Sequence, residues 1–133
     1  MREGLIIYSL VSSMGLTGDL AKFAAAQAAH ETGGFTSKIF KSNNNAFGMK
    51  YAGQSLAAGV KNGYANYLTV NDSVGDFVKW WVHHRAAIFS LPLFVHDLAS
   101  YVRFLRNNSY FEASEAEYLK GCQHFYNILF GNE

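Results

Sequence analysis

A long segment without acidic side chains divides this sequence into three parts. Residues 32–71 contain no Asp or Glu and are rich in Gly, Asn and Ser, whereas apolar residues recur every three or four positions before and after them. This spacing predicts helices on both sides of an irregular segment. Within the segment, GMKYAG and GYANYLTV indicate a small hairpin or two irregular strands. We therefore expect a mainly α, α+β fold in which a helical body and an irregular lobe over about 32–70 form a cleft.

Two helices are predicted before the lobe. The first covers 3–14 and has its apolar side chains on one face, namely Leu5, Ile6, Leu10 and Val11. After a short turn, Thr17 or Asp19 caps a second helix that ends near Glu31. Gln27 and Glu31 project from the same side of this helix because they are four residues apart.

Three helices are predicted after the lobe. One begins at a cap on Asn71 or Asp72. The next covers about 94–106, after a break at Pro92, and the last starts at the capping box Ser114–Glu117. The spacing assigns to these helices, in order, the inward side chains Val74, Phe77, Val78, Trp81 and Val82; Leu98, Tyr101, Val102 and Leu105; and Tyr118, Leu119, Cys122, Phe125, Tyr126 and Leu129.

Charge and composition exclude several classes of protein. The net charge is only +1 and the Lys and Arg residues are scattered, which argues against a dedicated nucleic-acid binder. No stretch reaches the roughly 18 apolar residues of a membrane span. The N-terminal MREGLIIYSLVSSMG carries an acid and several hydroxyl groups, so we interpret it as a first helix rather than a signal peptide. We expect a monomer made in the cytoplasm, and Cys122, the single cysteine, is expected to be a small core residue.

Glu31 is the acid at the edge of the lobe. It follows a run of helix formers and precedes two glycines, which places it at a helix C-terminus. The partial negative charge of that helix end disfavours an ionised carboxylate, and partial burial by the lobe disfavours it further. Both effects raise the pKa of Glu31, as a general acid near neutral pH requires. A solvated end-of-helix charge is the alternative.

Other catalytic patterns are incomplete. His30 and Glu31 begin a zinc-protease pattern HExxH, but Gly34 stands where the second histidine belongs. His83 and His84 are adjacent on a helix and point to different sides, which is poor geometry for chelation. The sequence has no GxSxG elbow, phosphate loop or dinucleotide fingerprint. We therefore expect neither a metal nor a cofactor.

Four segments match motifs that occur together, in the same order, in one enzyme family. They are AQAAHETGG at 26–34, SNNNAFGMK at 42–50, YANYLTVNDSVGDFVKWW at 64–81 and LRNNSYFEASEAEYLKG at 105–121. These resemble AQAALESGWG, NNxFGxK, FxxYxSxxESxxDY and LxxxxYAtDxxYxxK of the bacterial and phage glucosaminidases. That family comprises peptidoglycan hydrolases of lysozyme-like fold. The resemblance, with the short length of the chain, implies a single such domain over 1–133 that acts on peptidoglycan glycan strands.

The resemblance also implies roles for individual residues. Glu31 matches the catalytic acid, while Asp76 and Tyr110 match groups that position or stabilise an oxocarbenium-like species. Asp72 matches the Glu of the ES pair, and Tyr118 matches a helix residue expected to serve in packing. The expected substrate-binding residues are Gln27, Phe35, Asn45, Phe47, Gly48 and Tyr67. For Asn45 a turn-stabilising role is the alternative, and for Phe47 a place in the lobe core.

The chain departs from the family pattern in its second catalytic carboxylate. The family often carries this acidic residue on the lobe hairpin, whereas the lobe of this chain has no Asp or Glu. Three options remain for the second catalytic group. Asp76 could supply it, the N-acetyl oxygen of the substrate could attack the anomeric carbon instead, or the enzyme could be a lytic transglycosylase in which one Glu acts first as acid and then as base.

The expected reaction is cleavage of the β-1,4 glycan on the reducing side of N-acetylglucosamine. A muramidase on the same glycan is an alternative, and a non-catalytic glycan-binding or structural module of a phage or secretion machine is another. The expected place of action is the cell wall or periplasm, by an unknown export route. Two settings fit: a phage lysis enzyme released through a holin, or a secreted toxin with an immunity protein.

Overall fold

The structure, a computed structural model, describes residues 1–87 and 95–131, with the side chains of Ala86 and Ala87 left aside. In that part of the chain the elements are α1 (Arg2–Ser13), α2 (Asp19–Glu31), α3 (Lys38–Asn43), β1 (Gly59–Lys61), β2 (Tyr64–Asn66), α4 (Val70–Ala87), α5 (Leu98–Asn107) and α6 (Glu115–Phe130). The two strands pair antiparallel, with Val60 opposite Ala65. This arrangement confirms the predicted mainly α, α+β class, with a small hairpin between the helical parts.

Helix α2 lies at the centre of the helical body. It packs against α1, α5 and α6, and its alanines from Ala21 to Ala29 are completely buried. Because alanine has a short side chain, neighbouring helices approach α2 closely. Glycines of the partner helices add to this closeness. A side chain at Gly121 of α6 would overlap the His30 ring of α2.

Asparagine side chains hold the lobe together. The Asn43 Nδ2 group donates to the carbonyl of Lys61 at 2.8 Å and to that of Ala65 at 3.3 Å. The next residue, Asn44, has a left-handed backbone and donates to the carbonyl of Tyr67 at 3.0 Å. These bonds fix the hairpin to the end of α3, so the Asn-rich composition of the lobe replaces part of an apolar core.

The lobe also contains a helix that the sequence did not predict. Helix α3 is six residues long, and the Ser37 side chain caps it by accepting a hydrogen bond from Phe40 N at 3.1 Å. The GMKYAG segment, expected to be strand-like, forms only an isolated bridge between Lys50 and Tyr64.

The predicted inward face of α1 is only partly correct. Leu5 and Ile6 are 49% and 47% exposed and Leu10 is partly buried, whereas Val11, as predicted, and Ile7 are buried. The buried side of α1 includes Gly4, where the Leu129 side chain packs so closely that a Cβ atom would overlap it. The adjacent Ile6 and Ile7 allow either face on periodicity alone, so the choice depends on that contact.

Three predicted helix starts are also corrected. The α2 N-cap is Gly18, with no capping side chain. The Thr69 hydroxyl accepts from Asp72 N at 3.2 Å, so Thr69 rather than Asn71 or Asp72 caps α4. Helix α5 begins later than expected, behind a capping box of Asp97 and Ser100. The predicted break at Pro92 lies outside the described residues.

Most of the predicted inward side chains are confirmed. All four assigned to α5 are buried, as are Val74, Phe77, Val78 and Trp81 of α4, and Tyr118, Cys122 and Tyr126 of α6. Val82 is an exception at 52% exposure, and Leu119, Phe125 and Leu129 are only partly buried. Within the described ranges, no helix is both long and apolar enough to cross a membrane.

Candidate active site

A cleft of about 880 Å³ lies between the lobe and the helical body. Its walls come from the end of α2, the lobe, α4 and the segment 109–112 that precedes α6. The three residues predicted to be catalytic, Glu31, Asp76 and Tyr110, all line it. The fold thus brings together three residues that are far apart in the sequence.

Glu31 stands at the very end of α2 because the chain turns sharply there. Gly33 and Gly34 both have positive φ, and Gly34 N donates to the carbonyl of Ala29 at 2.8 Å. This is the hydrogen-bond pattern of a Schellman C-cap, and glycine adopts its left-handed step without strain. The Thr32 hydroxyl adds a bond to the carbonyl of Ala28 at 2.8 Å. The turn leaves the Glu31 side chain half-buried on the wall of the cleft.

The pKa of Glu31 is raised, chiefly because burial penalises the charged carboxylate. A hydrogen bond from Tyr118 acts in the opposite direction and lowers the pKa of Glu31, but its effect is the smaller of the two. The expected raised pKa thus agrees with the structure, and burial is its main cause.

Tyr118 contacts the carboxyl group directly. Its hydroxyl donates to Glu31 Oε1 at 2.6 Å. Its ring stacks on Phe111, with centroids 3.7 Å apart and planes within 1°, and meets the His30 ring edge-on at 4.6 Å. The sequence predicted only a packing role for Tyr118, because nothing local shows that residue 118 meets residue 31.

Gly48 lies against the other oxygen of Glu31. A Cβ atom at this position would overlap Glu31 Oε2, and the backbone φ of Gly48 is +63°. The lack of space for a side chain and the left-handed backbone therefore both favour glycine at this position. Its predicted place at the cleft is the one that the structure gives it.

Asn45 holds the loop that carries Gly48. Its Oδ1 atom accepts from Phe47 N at 3.4 Å and from Met49 N at 3.1 Å. Its Nδ2 group donates to the carbonyls of Met49 and Ala65, at 2.9 and 3.0 Å. Although Asn45 lines the cleft, both ends of its amide are bound to backbone. This geometry supports the turn-stabilising alternative, and a contact of Asn45 with substrate stays a prediction.

Tyr110 lines the cleft beside an aromatic wall. Its hydroxyl donates to the carbonyl of Phe47 at 2.6 Å, and its ring meets Trp80 edge-on at 4.8 Å. Trp80 in turn stacks on His84, with centroids 4.1 Å apart. Burial, followed by the charge of Glu31, raises the pKa of Tyr110 well above its ordinary value, so its hydroxyl stays protonated.

Asp76 is at the cleft but almost closed off. The residue is 3% exposed, and its Oδ1 atom accepts from Leu56 N at 3.2 Å. Its Oδ2 atom is buried without a hydrogen-bond partner among the described residues. Burial and the nearby Asp76 carboxylate together raise the pKa of Tyr67. Asp76 therefore joins the lobe to α4, and little of its carboxylate faces a substrate.

Four residues expected to bind substrate lie outside the cleft lining. Gln27 is completely buried, and its Oε1 atom accepts from the Tyr101 hydroxyl at 2.5 Å. Phe35, whose φ is +66°, packs on Phe40 with centroids 5.4 Å apart. These placements are core contacts and do not support a role for Gln27 or Phe35 in binding.

The other two, Phe47 and Tyr67, are buried in the lobe. Phe47 stacks on Phe77 of α4, with centroids 3.9 Å apart and planes within 2°, which supports the lobe-core alternative. The Tyr67 hydroxyl lies 3.9 Å from the sulfur of Met49. Phe47 and Tyr67 are therefore part of the packed interior of the lobe behind the cleft.

The cleft also contains polar residues that the sequence did not predict to bind substrate. They include Thr32, Ser37, Lys50, Gln54, Ser55, Lys79, His83, His84 and Glu112. Several of them lie within the four motif segments, but no pattern in the sequence indicated that they line the cleft. Within residues 1–87 and 95–131, no three His, Cys, Asp or Glu side chains are grouped to hold a metal ion.

Comparison with known families identifies one match. The family model for glucosaminidase, described as mannosyl-glycoprotein endo-β-N-acetylglucosaminidase, matches residues 10–128. Comparisons with curated proteins and with solved structures gave no match. The family match covers nearly the whole chain, including all four motifs and every wall of the cleft. The chain therefore belongs to the glucosaminidase family of glycoside hydrolases.

Proposed function

We propose that this protein cleaves the β-1,4 glycan of peptidoglycan on the reducing side of N-acetylglucosamine, with Glu31 as the general acid. The placement of Glu31 carries the proposal. Its half-buried carboxyl group lies on the wall of a cleft, accepts one hydrogen bond from Tyr118, and faces a loop glycine rather than a side chain. Family membership supplies the reaction class.

The chemistry begins with proton transfer from Glu31. Because burial raises the pKa of this carboxyl group, a larger fraction carries a proton near neutral pH than for an ordinary Glu. The proton passes to the oxygen that bridges two sugars, and the bond between that oxygen and the anomeric carbon breaks. Such general acid catalysis contributes about 10²- to 10⁴-fold in rate.

For the second step, we favour attack by the substrate's own acetamido oxygen on the anomeric carbon. Two observations support this choice over Asp76. The lobe contributes no carboxylate to the cleft, and Asp76 is nearly buried with one oxygen bound to backbone. The resulting oxazolinium ion is opened by water, and the Glu31 carboxylate takes the proton from that water. This returns the acid to its starting form.

A lytic transglycosylase reaction uses the same residues. There Glu31 takes a proton from a sugar hydroxyl, which attacks the anomeric carbon and leaves an anhydro sugar. The observation that favours this second candidate is that α2 contributes one Glu, Glu31, to the cleft, while the carboxylate of Asp76 is almost closed off. The two reactions differ in product mass by one water molecule.

The test is release of soluble fragments from purified cell-wall sacculi. Wild type is compared with Glu31→Gln, which keeps the shape and one acceptor oxygen but cannot donate the acid proton. Glu3→Gln, at an exposed position on α1, is the matched control. We expect release by wild type and by the control, and at least a 100-fold loss in Glu31→Gln. Equal release by all three proteins, or by none, contradicts the proposal.

Product analysis decides the finer claims. Mass spectrometry of the fragments is expected to show N-acetylglucosamine at new reducing ends. N-acetylmuramic acid at those ends indicates a muramidase, and anhydro sugars indicate the transglycosylase. A glycoprotein bearing mannose-rich N-glycans is assayed as a second substrate, because the description of the family model names an activity on mannosyl-glycoproteins. Cleavage of that substrate alone excludes peptidoglycan.

A further inference from the structure

The two oxygens of Glu31 have different surroundings. Oε1 accepts from the Tyr118 hydroxyl, whereas Oε2 lies beside Gly48, a residue that lines the cleft. We infer that Tyr118 is a positioning residue that keeps the acid proton of Glu31 on Oε2 and directs it toward Gly48. This inference rests on the proposed role of Glu31 as the acid, and it goes further by assigning a role to each oxygen.

Oε1 is the less suitable site for the proton. The Tyr118 hydroxyl is buried, and its pKa is raised well above the ordinary value, so it remains a neutral donor. A proton on Oε1 would force this hydroxyl to turn and donate elsewhere. Glu31 is the only acceptor that it has among the described residues. A protonated Oε1 therefore costs one buried hydrogen bond, while a protonated Oε2 leaves it intact.

The Tyr118 ring is fixed and cannot follow a displaced carboxyl group. Phe111 stacks on one face of the ring at 3.7 Å, and His30 contacts it edge-on. The His30 ring itself fits into the space left by Gly121. Because these two contacts hold the ring, its hydroxyl is a fixed donor for the carboxyl group that it binds.

Oε2 is free to meet a substrate. It has no hydrogen-bond partner among the described residues, and it is not sealed off. The buried polar side-chain atoms without a partner in that part of the chain belong instead to Gln27, Asp76 and Trp81. The hydroxyl of Tyr110 does not compete for Oε2, because it is already bound to the carbonyl of Phe47. Gly48 presents no side chain that would cover this oxygen.

Other titratable groups line the same cleft or lie close to Glu31 in the part of the chain that the structure describes. They are His30 on α2; Tyr118 and Cys122 on α6; Tyr110 and Glu112 on the segment before α6; Asp76, Lys79, His83 and His84 on α4; and Lys50 and Tyr64 on the lobe. Of these, only Tyr118 forms a hydrogen bond with the carboxyl group in the described structure. Removing its hydroxyl therefore changes the direct contact and leaves the other charges in place.

The first test is Tyr118→Phe, which keeps the stacked ring and deletes only the hydroxyl. The pKa of Glu31 is measured by ¹³C NMR titration of its carboxyl carbon, identified by its loss in Glu31→Gln. Because the hydroxyl lowers the pKa of Glu31, we expect that pKa to rise in the variant. Tyr101→Phe, which also loses a buried hydroxyl bond but at Gln27 in the core, is the matched control and is expected to leave that pKa unchanged.

An unchanged Glu31 pKa in folded Tyr118→Phe overturns the inference, and so does an equal change in Tyr101→Phe. This readout needs no enzymatic activity, so it is separate from the test of the proposed function. If Tyr118→Phe does not fold, Phe111→Leu replaces it. That variant keeps the hydroxyl but removes the stack that holds it, and the same upward change in the pKa of Glu31 is expected.

Kinetics on sacculi give the second readout. We expect Tyr118→Phe to lower kcat about tenfold or more with little change in KM, because a misdirected proton affects the reaction and not the binding. The alkaline limb of the pH profile is expected to move to higher pH together with the pKa of Glu31. A variant that loses only thermal stability, with an unchanged kcat and pH profile, shows that the contact is merely structural.

Discussion

Replacing Gly48 by alanine is the most direct probe of the space beside Glu31, the proposed catalytic acid. The new methyl group would occupy the position of Glu31 Oε2, so the carboxyl group or the loop must move. The loop has little freedom to do so, since four Asn45 hydrogen bonds and a bond from Ala46 N to the Ser73 hydroxyl hold it. The carboxyl group is therefore expected to retreat.

The magnitude has two parts. The left-handed backbone of residue 48, with φ +63°, costs an alanine about 1–2 kcal/mol. For a chain of this size such a loss corresponds to a fall in Tm of roughly 3–10 °C. The second part is the displacement of the Glu31 carboxyl group, which lowers activity but not stability. A displacement of about 1 Å costs on the order of 100-fold in rate.

The assay pairs fragment release from sacculi with thermal unfolding. Gly63→Ala is the matched control, because its φ is +78° and a Cβ atom there has no neighbour within 4 Å. We expect both variants to lose a similar amount of stability, and only Gly48→Ala to lose about 100-fold in activity. Activity of Gly48→Ala within about threefold of Gly63→Ala refutes the reasoning.

Three further predictions concern other residues. Asn45→Ala removes the acceptor of the buried Phe47 N–H and of the partly buried Met49 N–H, and is expected to lower the free energy of unfolding by about 2–4 kcal/mol; an unchanged urea midpoint contradicts this. For Glu31, burial raises the folded-state pKa above 4.5, so its stabilising contribution is complete below that pH and is lost as pH rises through the folded value. Glu31→Gln is therefore expected to match wild type in Tm at acid pH and to exceed it at neutral pH, and a constant Tm difference contradicts the sign. The Cys122 thiol is buried and its pKa is raised, so we expect a thiol reagent to modify it only after unfolding, and rapid labelling of the native protein refutes its core placement.

Sequence periodicity predicted the helices that have one clear apolar stripe. Four of the five buried residues of α5 were predicted, because a single spacing fits Leu98, Tyr101, Val102 and Leu105, whereas the buried Phe104 was missed. In α1 the adjacent Ile6 and Ile7 permit two faces, and the choice is made by contact with α2, α4 and the end of α6. Helix α3 escaped prediction because six residues are too few to show a period.

The candidate site was also predicted only in part. The residues that were missed contact Glu31 across long intervals of sequence. Glu31 is marked locally, by a helix end followed by glycines, and the motif resemblance supported it. The partners of Glu31 are distant in sequence: the Tyr118 hydroxyl bond spans 87 residues. No local pattern encodes such a contact. The same limit explains why Gln27 and Phe47, which carry motif positions, turned out to face the core.

The Tyr118 contact also bears on the point during synthesis at which the protein can become active toward glycans. Glu31 leaves the peptidyl-transferase centre 87 residues before the tyrosine that holds it. At about 5–20 residues per second, translation separates the two by roughly 4–17 s. Throughout that interval the nascent chain carries Glu31 but lacks Tyr118 and most of α6, so the hydrogen bond to the carboxyl group cannot form. We therefore expect a ribosome-bound chain stalled before residue 118 to be inactive toward glycans, and the addition of α6 to complete the site.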